Sequence, residues 1–288
     1  MIARALLQDI AQRLRTRGIP DSAKEAELIV TSVLGISRPQ LYLANDEITA
    51  EAAATIEAYA IRRSTGEPLH YIIGYLEFMG LHISVGPGVL IPRPETELLV
   101  EETVRRIQQG TGGRIQERLA ILDLCTGSGC IALSLAKAFP AATVFGVDIS
   151  PSALNYARKN AADNAVGNIT FVEGDLFAPF DGQAFACITA NPPYIRSSDV
   201  GNLQIEIRAY EPLSALVGGE DGLDFYRRIL AEAPQHLQPD GLLIMELGYD
   251  QADAVGELAH ACGFSDVLCI PDYAGIGRVF VGRKRALQ

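Results

Sequence analysis

The chain has 288 residues, 48% of them hydrophobic and 20% charged, which is enough for one or two ordinary globular cores, and no apolar run approaches the ~20 residues of a membrane span. A formal charge of −11 excludes a protein whose affinity comes from neutralising many phosphates across a broad basic surface. Five cysteines with no Cys-x-x-Cys pair and four histidines with no His-Glu-x-x-His point to reduced thiols, with neither a disulfide framework nor a metal site expected.

The opening segment, MIARALLQDIAQRLRTRG, sets Leu6, Leu7, Ile10 and Leu14 on one stripe. It reads as a helix at a cytoplasmic start, since it has neither a continuous apolar stretch nor a small-residue cleavage site. Gly18 and Pro20 end it. A second helix begins near Asp21, where Ser22-x-x-Glu25 has the spacing of a capping box, and stops at Gly35. A third follows Thr49 as its cap and carries AEAAATIEAYAIRR, good helix formers throughout, until STGEP breaks it. Residues 1–72 are therefore expected as a small helical domain.

Between 73 and 90 the pattern changes to aromatic and β-branched residues broken by glycines, which reads as a β-hairpin linker. From 91 to 288 strands and helices alternate, with strands expected at 119–124, 142–148, 169–173, 184–190, 241–247, 265–270 and 278–283. Such alternation gives an α/β domain, a mostly parallel sheet covered by helices on both faces.

The segment LAILDLCTGSGCIALSLAKAF is a strand, a loop with Gly127 and Gly129, and a helix, a unit that brings backbone N–H groups to a ligand at the sheet's carboxyl edge. Gly127, Gly129 and Ala132 match the dinucleotide fingerprint only in part, and no lysine follows the loop as a P-loop requires. The next strand ends in Asp148, placed to accept hydrogen bonds from ribose hydroxyls. The third ends before Asp175 and the fourth before Asn191, so Asp123, Asp148, Asp175 and Asn191 are expected on one rim. Any one of these side chains commonly caps a helix or shapes a turn. Four in succession beside a glycine loop point to a nucleoside cofactor without a pyrophosphate, and S-adenosylmethionine answers that description.

Asn191-Pro192-Pro193-Tyr194 then addresses a chemical problem. An amide or exocyclic amine nitrogen is a poor nucleophile because its lone pair is delocalised. If Asn191 Oδ1 and the Pro192 carbonyl each accept one N–H, the lone pair is held towards the methyl donor. The prolines fix the backbone and lack competing N–H groups, and Tyr194 offers a flat face for a planar amide or base.

With these elements the chain resembles the HemK/PrmC family of glutamine methyltransferases that modify peptide chain release factors. The resemblance rests on IPRPETELLVE (91–101), DLCTGSGCIALSLA (123–136), GVDISPSALNYARKNA (146–161), NPPYI (191–195), EPLSALVGGEDGLDFYRRI (211–229) and LIMELGYDQ (243–251). It implies a class I (Rossmann-like) seven-stranded methyltransferase domain joined by a hairpin to a helical domain that recognises the release factor. The target implied is the glutamine of the Gly-Gly-Gln loop, with no direct nucleic-acid or membrane partner. It further implies that Cys125, Thr126, Gly127, Ser128, Gly129, Asp148, Asp175, Leu176 and Asn191 bind the cofactor, while Asn191, Pro192, Pro193 and Tyr194 frame the amide.

Other readings are a glutamine methyltransferase of a ribosomal protein, whose group resembles PRSP rather than PRPETE, a nucleic-acid adenine methyltransferase, and a cofactor-binding regulator without catalysis. An adenine enzyme wants a basic target-recognition region that a chain of this charge does not display. Cys125 departs from the family, which commonly has glycine there; the expectation is that it takes an ordinary backbone conformation or reshapes the pocket slightly, as a small inert residue.

Overall fold

The structure, a computed structural model, describes residues 3–43, 48–110 and 119–284, so the first two residues of the expected opening helix lie outside the described residues. The chain divides into two compact units, Met1–Tyr75 with Gln204–Tyr210, and Leu76–Leu203 with Glu211–Gln288.

The first unit contains α1 (Ala3–Thr16), α2 (Ser22–Leu34), α3 (Arg38–Leu43), α4 (Ala50–Ser64), α5 (Leu69–Ile73) and the short helix Ile205–Tyr210. The stripe read in α1 is buried, and Ile10 and Leu14 pack with Ile29, Val30, Leu41 and Ile56. Gly35 ends α2 in the left-handed region at φ 63°, and Thr49 Oγ1 caps α4 by accepting from Ala52 N at 3.1 Å. The capping box at α2 does not form. Asp21 is the N-cap without a side-chain bond, and Glu25 instead accepts from Arg63 Nε and Nη2 at 2.5 and 3.0 Å. A guanidinium only 5% exposed outcompetes a backbone N–H, because charge-assisted fork bonds are stronger. Arg63 Nη2 also pairs with Glu206 at 2.8 Å, which ties the distant short helix into this unit.

The second unit opens on the hairpin β1 (Tyr75–Phe78) and β2 (Leu81–Ser84). From Leu76 onward the hairpin's residues fall in this unit. After α6 (Pro94–Gly110) come β3 (Ala120–Leu124), α7 (Cys130–Ala138), β4 (Thr143–Asp148), α8 (Pro151–Asp163), β5 (Ile169–Glu173) and β6 (Phe185–Ala190). With α9 as the short helix already placed, α10 (Asp224–His236), β7 (Leu237–Glu246), α11 (Ala252–Ala261), β8 (Phe264–Pro271) and β9 (Gly277–Lys284) complete the chain. Two side-chain amides, one in α8 and one at its C-cap, hold β2: Asn160 exchanges bonds with Ser84 N and O at 2.8 and 3.1 Å, and Asn164 does the same with His82 at 3.1 and 2.8 Å.

The seven-stranded sheet runs β5-β4-β3-β6-β7-β9-β8. Pairings are parallel except those of β9, which is antiparallel to both neighbours. The exception follows from chain length: a turn at 272–276, held by Asp272 Oδ1 accepting from Ala274 N and Ile276 N, is too short for a parallel crossover. Phe145, Phe180 and Phe185 meet edge to face with ring centres 5.5–5.9 Å apart, anchoring one side of the core. Strand order reverses between β3 and β6, and open α/β sheets bind ligands outside the carboxyl ends at such a point.

Candidate active site

A cavity of about 360 Å³ lies in the second unit, at the carboxyl ends of β3, β4 and β6. Cys125, Thr126, Gly127, Ser128, Asp148, Asp175, Leu176, Asn191 and Pro193 line it, so nine residues singled out from the sequence are brought together. Leu90, Pro92, Thr96, the run Pro212–Ala215, Val217 and Arg228 are among the other residues of the wall.

Three of the residues expected to bind the cofactor or frame the amide stand outside the lining. Gly129 is the N-cap of α7 at φ 81°, and a Cβ there would come within 3.0 Å of Phe171 and 3.1 Å of Ala157. Its lack of a side chain serves packing. Pro192 is buried, and Tyr194 sends its hydroxyl to Glu246 Oε1 at 3.2 Å. Gly127 differs from Gly129. A Cβ at Gly127 would meet nothing closer than 4.0 Å, so the protein itself leaves room at this cavity-lining position, and a small residue there keeps space for a ligand.

Asp148 is partly buried at the end of β4. Its Oδ2 accepts from Gly127 N at 2.8 Å and its Oδ1 from Ser150 N at 2.9 Å. The carboxylate thus sets the glycine loop and the entry to α8, where Ser150 Oγ caps Ala153 N. Burial pushes its carboxyl above the usual range, opposed by those N–H donors. Each oxygen keeps a lone pair for a hydroxyl in the cavity. Asp175 is already paired, accepting from Arg228 Nη2 at 2.8 Å.

Asp123 corrects the expected rim of four. It is fully buried inside β3, accepting from Thr126 Oγ1 at 2.6 Å and Thr189 Oγ1 at 2.8 Å. It props Thr126 from beneath and does not itself line the cavity.

Cys125 is the second correction. It takes the left-handed conformation at φ 54°, the one glycine favours, because the loop must turn there for Thr126 N to reach Val147 O at 3.0 Å. Burial and the carboxylates of Asp148, Asp123 and Asp175 push its thiol up, which keeps it neutral and inert. Since a left-handed non-glycine residue costs about 1–2 kcal/mol, Cys125→Gly should be more stable than Cys125→Ala by about 1 kcal/mol. Urea unfolding of the two variants measures the difference, and equal midpoints would mean that this φ carries no strain.

Asn191 leaves the end of β6 beside the end of β7, where Ala190 pairs with Met245. Its Nδ2 donates to Glu246 Oε2 at 3.0 Å and to Thr96 Oγ1 at 3.3 Å. Among the described residues no donor reaches Asn191 Oδ1 or the Pro192 carbonyl. Neither acceptor is engaged within the protein, as an N–H-orienting pair requires, with Asn191 at the cavity and Pro192 buried next to it.

The loop holding them is braced on several sides. Ile195 N donates to Leu216 O and Gly218 N to Ile195 O, at 2.8 and 2.9 Å. Gln251 Nε2 donates to Tyr194 O at 3.0 Å and Gly222 O at 3.2 Å. A Cβ at Gly218 would stand 2.5 Å from Pro193 O, and one at Gly222 2.4 Å from Tyr194 O, so these glycines permit the close approach. Arg93 Nη2 donates to the buried Glu211 at 2.6 Å, and Ile91 N reaches the same carboxylate at 3.3 Å. The segments around 93, 191, 211, 222 and 246 are thus parts of one frame. Sequence reading assigns no role to Thr96, Glu211, Glu246 or Gln251; a polar residue inside an apolar run, as in LLIMELG, is the available signal.

Residues 5–74 match the PrmC N-terminal domain and residues 115–264 a methyltransferase domain. A release factor glutamine methyltransferase from Thermodesulfovibrio yellowstonii is 49% identical, covering 91% of this chain and 92% of its own. Those from Geobacter sulfurreducens and Moorella thermoacetica are 43% and 41% identical, covering 94% and 99% of this chain and 92% and 99% of theirs. A methyltransferase from Pyrococcus furiosus, 20% identical, superimposes with a TM-score of 0.54 over 82% of this chain and 100% of that one, which shows a shared fold. Sequence and architecture agree: the second unit has the class I methyltransferase fold, and the chain belongs to the release factor glutamine methyltransferase family.

Proposed function

We propose that this chain transfers a methyl group from S-adenosylmethionine to the side-chain amide nitrogen of the glutamine in the Gly-Gly-Gln motif of peptide chain release factors. The observation that carries this reading is the Asn191 amide, its Nδ2 held by Glu246 and its Oδ1 without a donor at the cavity.

The residues present fit the cofactor. Gly127 keeps open space, Asp148 offers carboxylate lone pairs for hydroxyls, and Cys125 and Leu176 form an apolar part of the wall. When bound, S-adenosylmethionine supplies an electrophilic methyl on a sulfonium whose departure needs no acid. The protein's share is orientation and exclusion of water. Asn191 Oδ1 and the Pro192 carbonyl accept the two N–H bonds of the substrate amide, which turns its lone pair out of conjugation. The hydrogen bonds that brace the backbone at Tyr194–Ile195 and Leu216–Gly222 hold that geometry. We assign recognition of the release factor to the helical unit, in keeping with its match to the PrmC N-terminal domain.

Asp148→Ala should weaken S-adenosylmethionine binding by about 2 kcal/mol, the scale of a charge-assisted hydrogen bond left unmade. Calorimetry giving wild-type affinity would remove Asp148 from the site. The reaction itself is tested by transfer of labelled methyl from S-adenosylmethionine to recombinant release factor, with a partner whose Gly-Gly-Gln glutamine is alanine as the control. Label is expected in the first and not in the second; equal labelling of both overturns the reading.

A further inference from the structure

Glu246 is 1% exposed, yet among the described residues no ion pair reaches its carboxylate. Arg278, whose charge acts on it from a distance, is paired with Asp272 at 3.2 Å. The hydrogen-bond partners of Glu246 are neutral. Thr96 Oγ1 donates at 2.6 Å, Asn191 Nδ2 at 3.0 Å and Tyr194 OH at 3.2 Å. A buried carboxylate without a directly bound cation is costly, and a well-packed apolar residue could fill the end of β7 more cheaply. What a carboxylate does that neither a glutamine amide nor a protonated acid does is refuse a donor role. It has acceptors only, so every group facing it must present a hydrogen.

For a primary amide this has a directional result. With Nδ2 turned to the carboxylate, Oδ1 must point the opposite way. A glutamine or a protonated acid at 246 could satisfy Asn191 in either orientation, one of which would turn an NH₂ group towards the substrate. We propose that Glu246 is a positioning residue that makes Asn191 a one-way acceptor, and that Thr96 and Tyr194 complete its shell and hold the carboxylate in place. This rests on the reading of Asn191 as the acceptor for the substrate amide.

The arrangement makes an unusual demand of variants at 191. Asn191→Asp keeps the acceptor oxygen but sets a second carboxylate about 3 Å from the first, where both cannot stay ionised at low cost. Restoring one donor relieves this. In Asn191→Asp combined with Glu246→Gln, the new side-chain amide at position 246 can donate to one oxygen of residue 191 and leave the other as the acceptor.

The test is the four-member cycle of wild type, Glu246→Gln, Asn191→Asp and the double variant, read as kcat, KM and cofactor affinity on release factor. Glu246→Gln is expected to lower kcat about tenfold with cofactor affinity within about twofold, Asn191→Asp to lower it at least about 10²-fold, and the double variant to recover at least about tenfold over Asn191→Asp. A merely structural role predicts additive losses. A double variant no better than Asn191→Asp, or Glu246→Gln with wild-type kcat, overturns the proposal.

A second arm needs no substrate. In the ¹⁵N spectrum of the wild-type protein the Asn191 side-chain amide should exchange slowly with solvent, and Glu246→Gln should shift it. Exchange at the rate of a free amide overturns the positioning role. If the wild type transfers nothing to glutamine, the functional reading fails by itself, and the spectrum still decides the orientation.

Discussion

Asn191→Ala is expected to lower kcat on release factor by at least about 10²-fold, while affinity for S-adenosylmethionine falls by less than about tenfold. The asymmetry follows from where each contact lies. The cavity wall proposed to hold the cofactor has many members, among them the loop from Cys125 to Ser128, Asp148 and Leu176, so losing one amide should remove little binding. In the proposed mechanism, orientation of the substrate amide rests on two acceptors, Asn191 Oδ1 and the Pro192 carbonyl. With one gone, the amide can rotate back into conjugation and its nitrogen lone pair is no longer presented. Single-turnover rates with calorimetry of cofactor binding check this. A variant that loses cofactor affinity in step with kcat would make Asn191 a cofactor residue first.

The second large effect is on stability. Burial pushes the Asp123 carboxyl up to about 7, opposed by the hydroxyls of Thr126 and Thr189, against 3.8 ordinarily. A carboxyl raised on folding holds its proton in the native state where the unfolded chain has released it, so stability is greatest below the unfolded value and falls as pH rises towards the folded one. One such group changes stability by about 1.4 kcal/mol per pH unit, on the order of 4 kcal/mol across the whole window. Asp148 and Glu246, also raised by burial, act with the same sign. Asp123→Asn removes the contribution of this group. Between about pH 5 and pH 8 the wild type should lose about 3 kcal/mol more than this variant. Urea unfolding at the two pH values, followed by a probe in the second unit, measures it. Parallel losses would mean that Asp123 titrates near its ordinary value.

The regions legible in the sequence are those where one local pattern decides the outcome. Period-2 and period-3.6 alternation places the strands within a few residues, and Thr49, Gly35 and Ser150 begin or end their helices by local capping. The short helices Arg38–Leu43 and Leu69–Ile73 do not stand out, because five or six residues carry too little periodicity. Asp123 and Asp148 look alike on paper, each an acid at a strand end. Register alone distinguishes them: Asp123 faces Gly146 and Thr189 across the sheet, whereas Asp148 is the last residue of its strand.

Long-range pairings are illegible for a different reason. Glu25 reads with Ser22, its neighbour in sequence, but it belongs to Arg63; Glu206 lies far from both in sequence and joins them through the same guanidinium. That placement bears on any truncation at residue 75, which would strip Gln204–Tyr210 of the helices it folds with. Glu246 is likewise hidden. Substituting Asn191 by Asp looks mild from the sequence, and it is the carboxylate across from it that leads us to expect a severe loss.

The central claim, that a glutamine side-chain amide is the methyl acceptor, is tested most directly by tandem mass spectrometry of release factor incubated with this protein and S-adenosylmethionine. The account predicts a Gly-Gly-Gln peptide heavier by one methyl group, with fragments that place the methyl on the glutamine side chain. A methyl group on any other residue of the release factor, or methylation of adenine in DNA at a comparable rate, would contradict it.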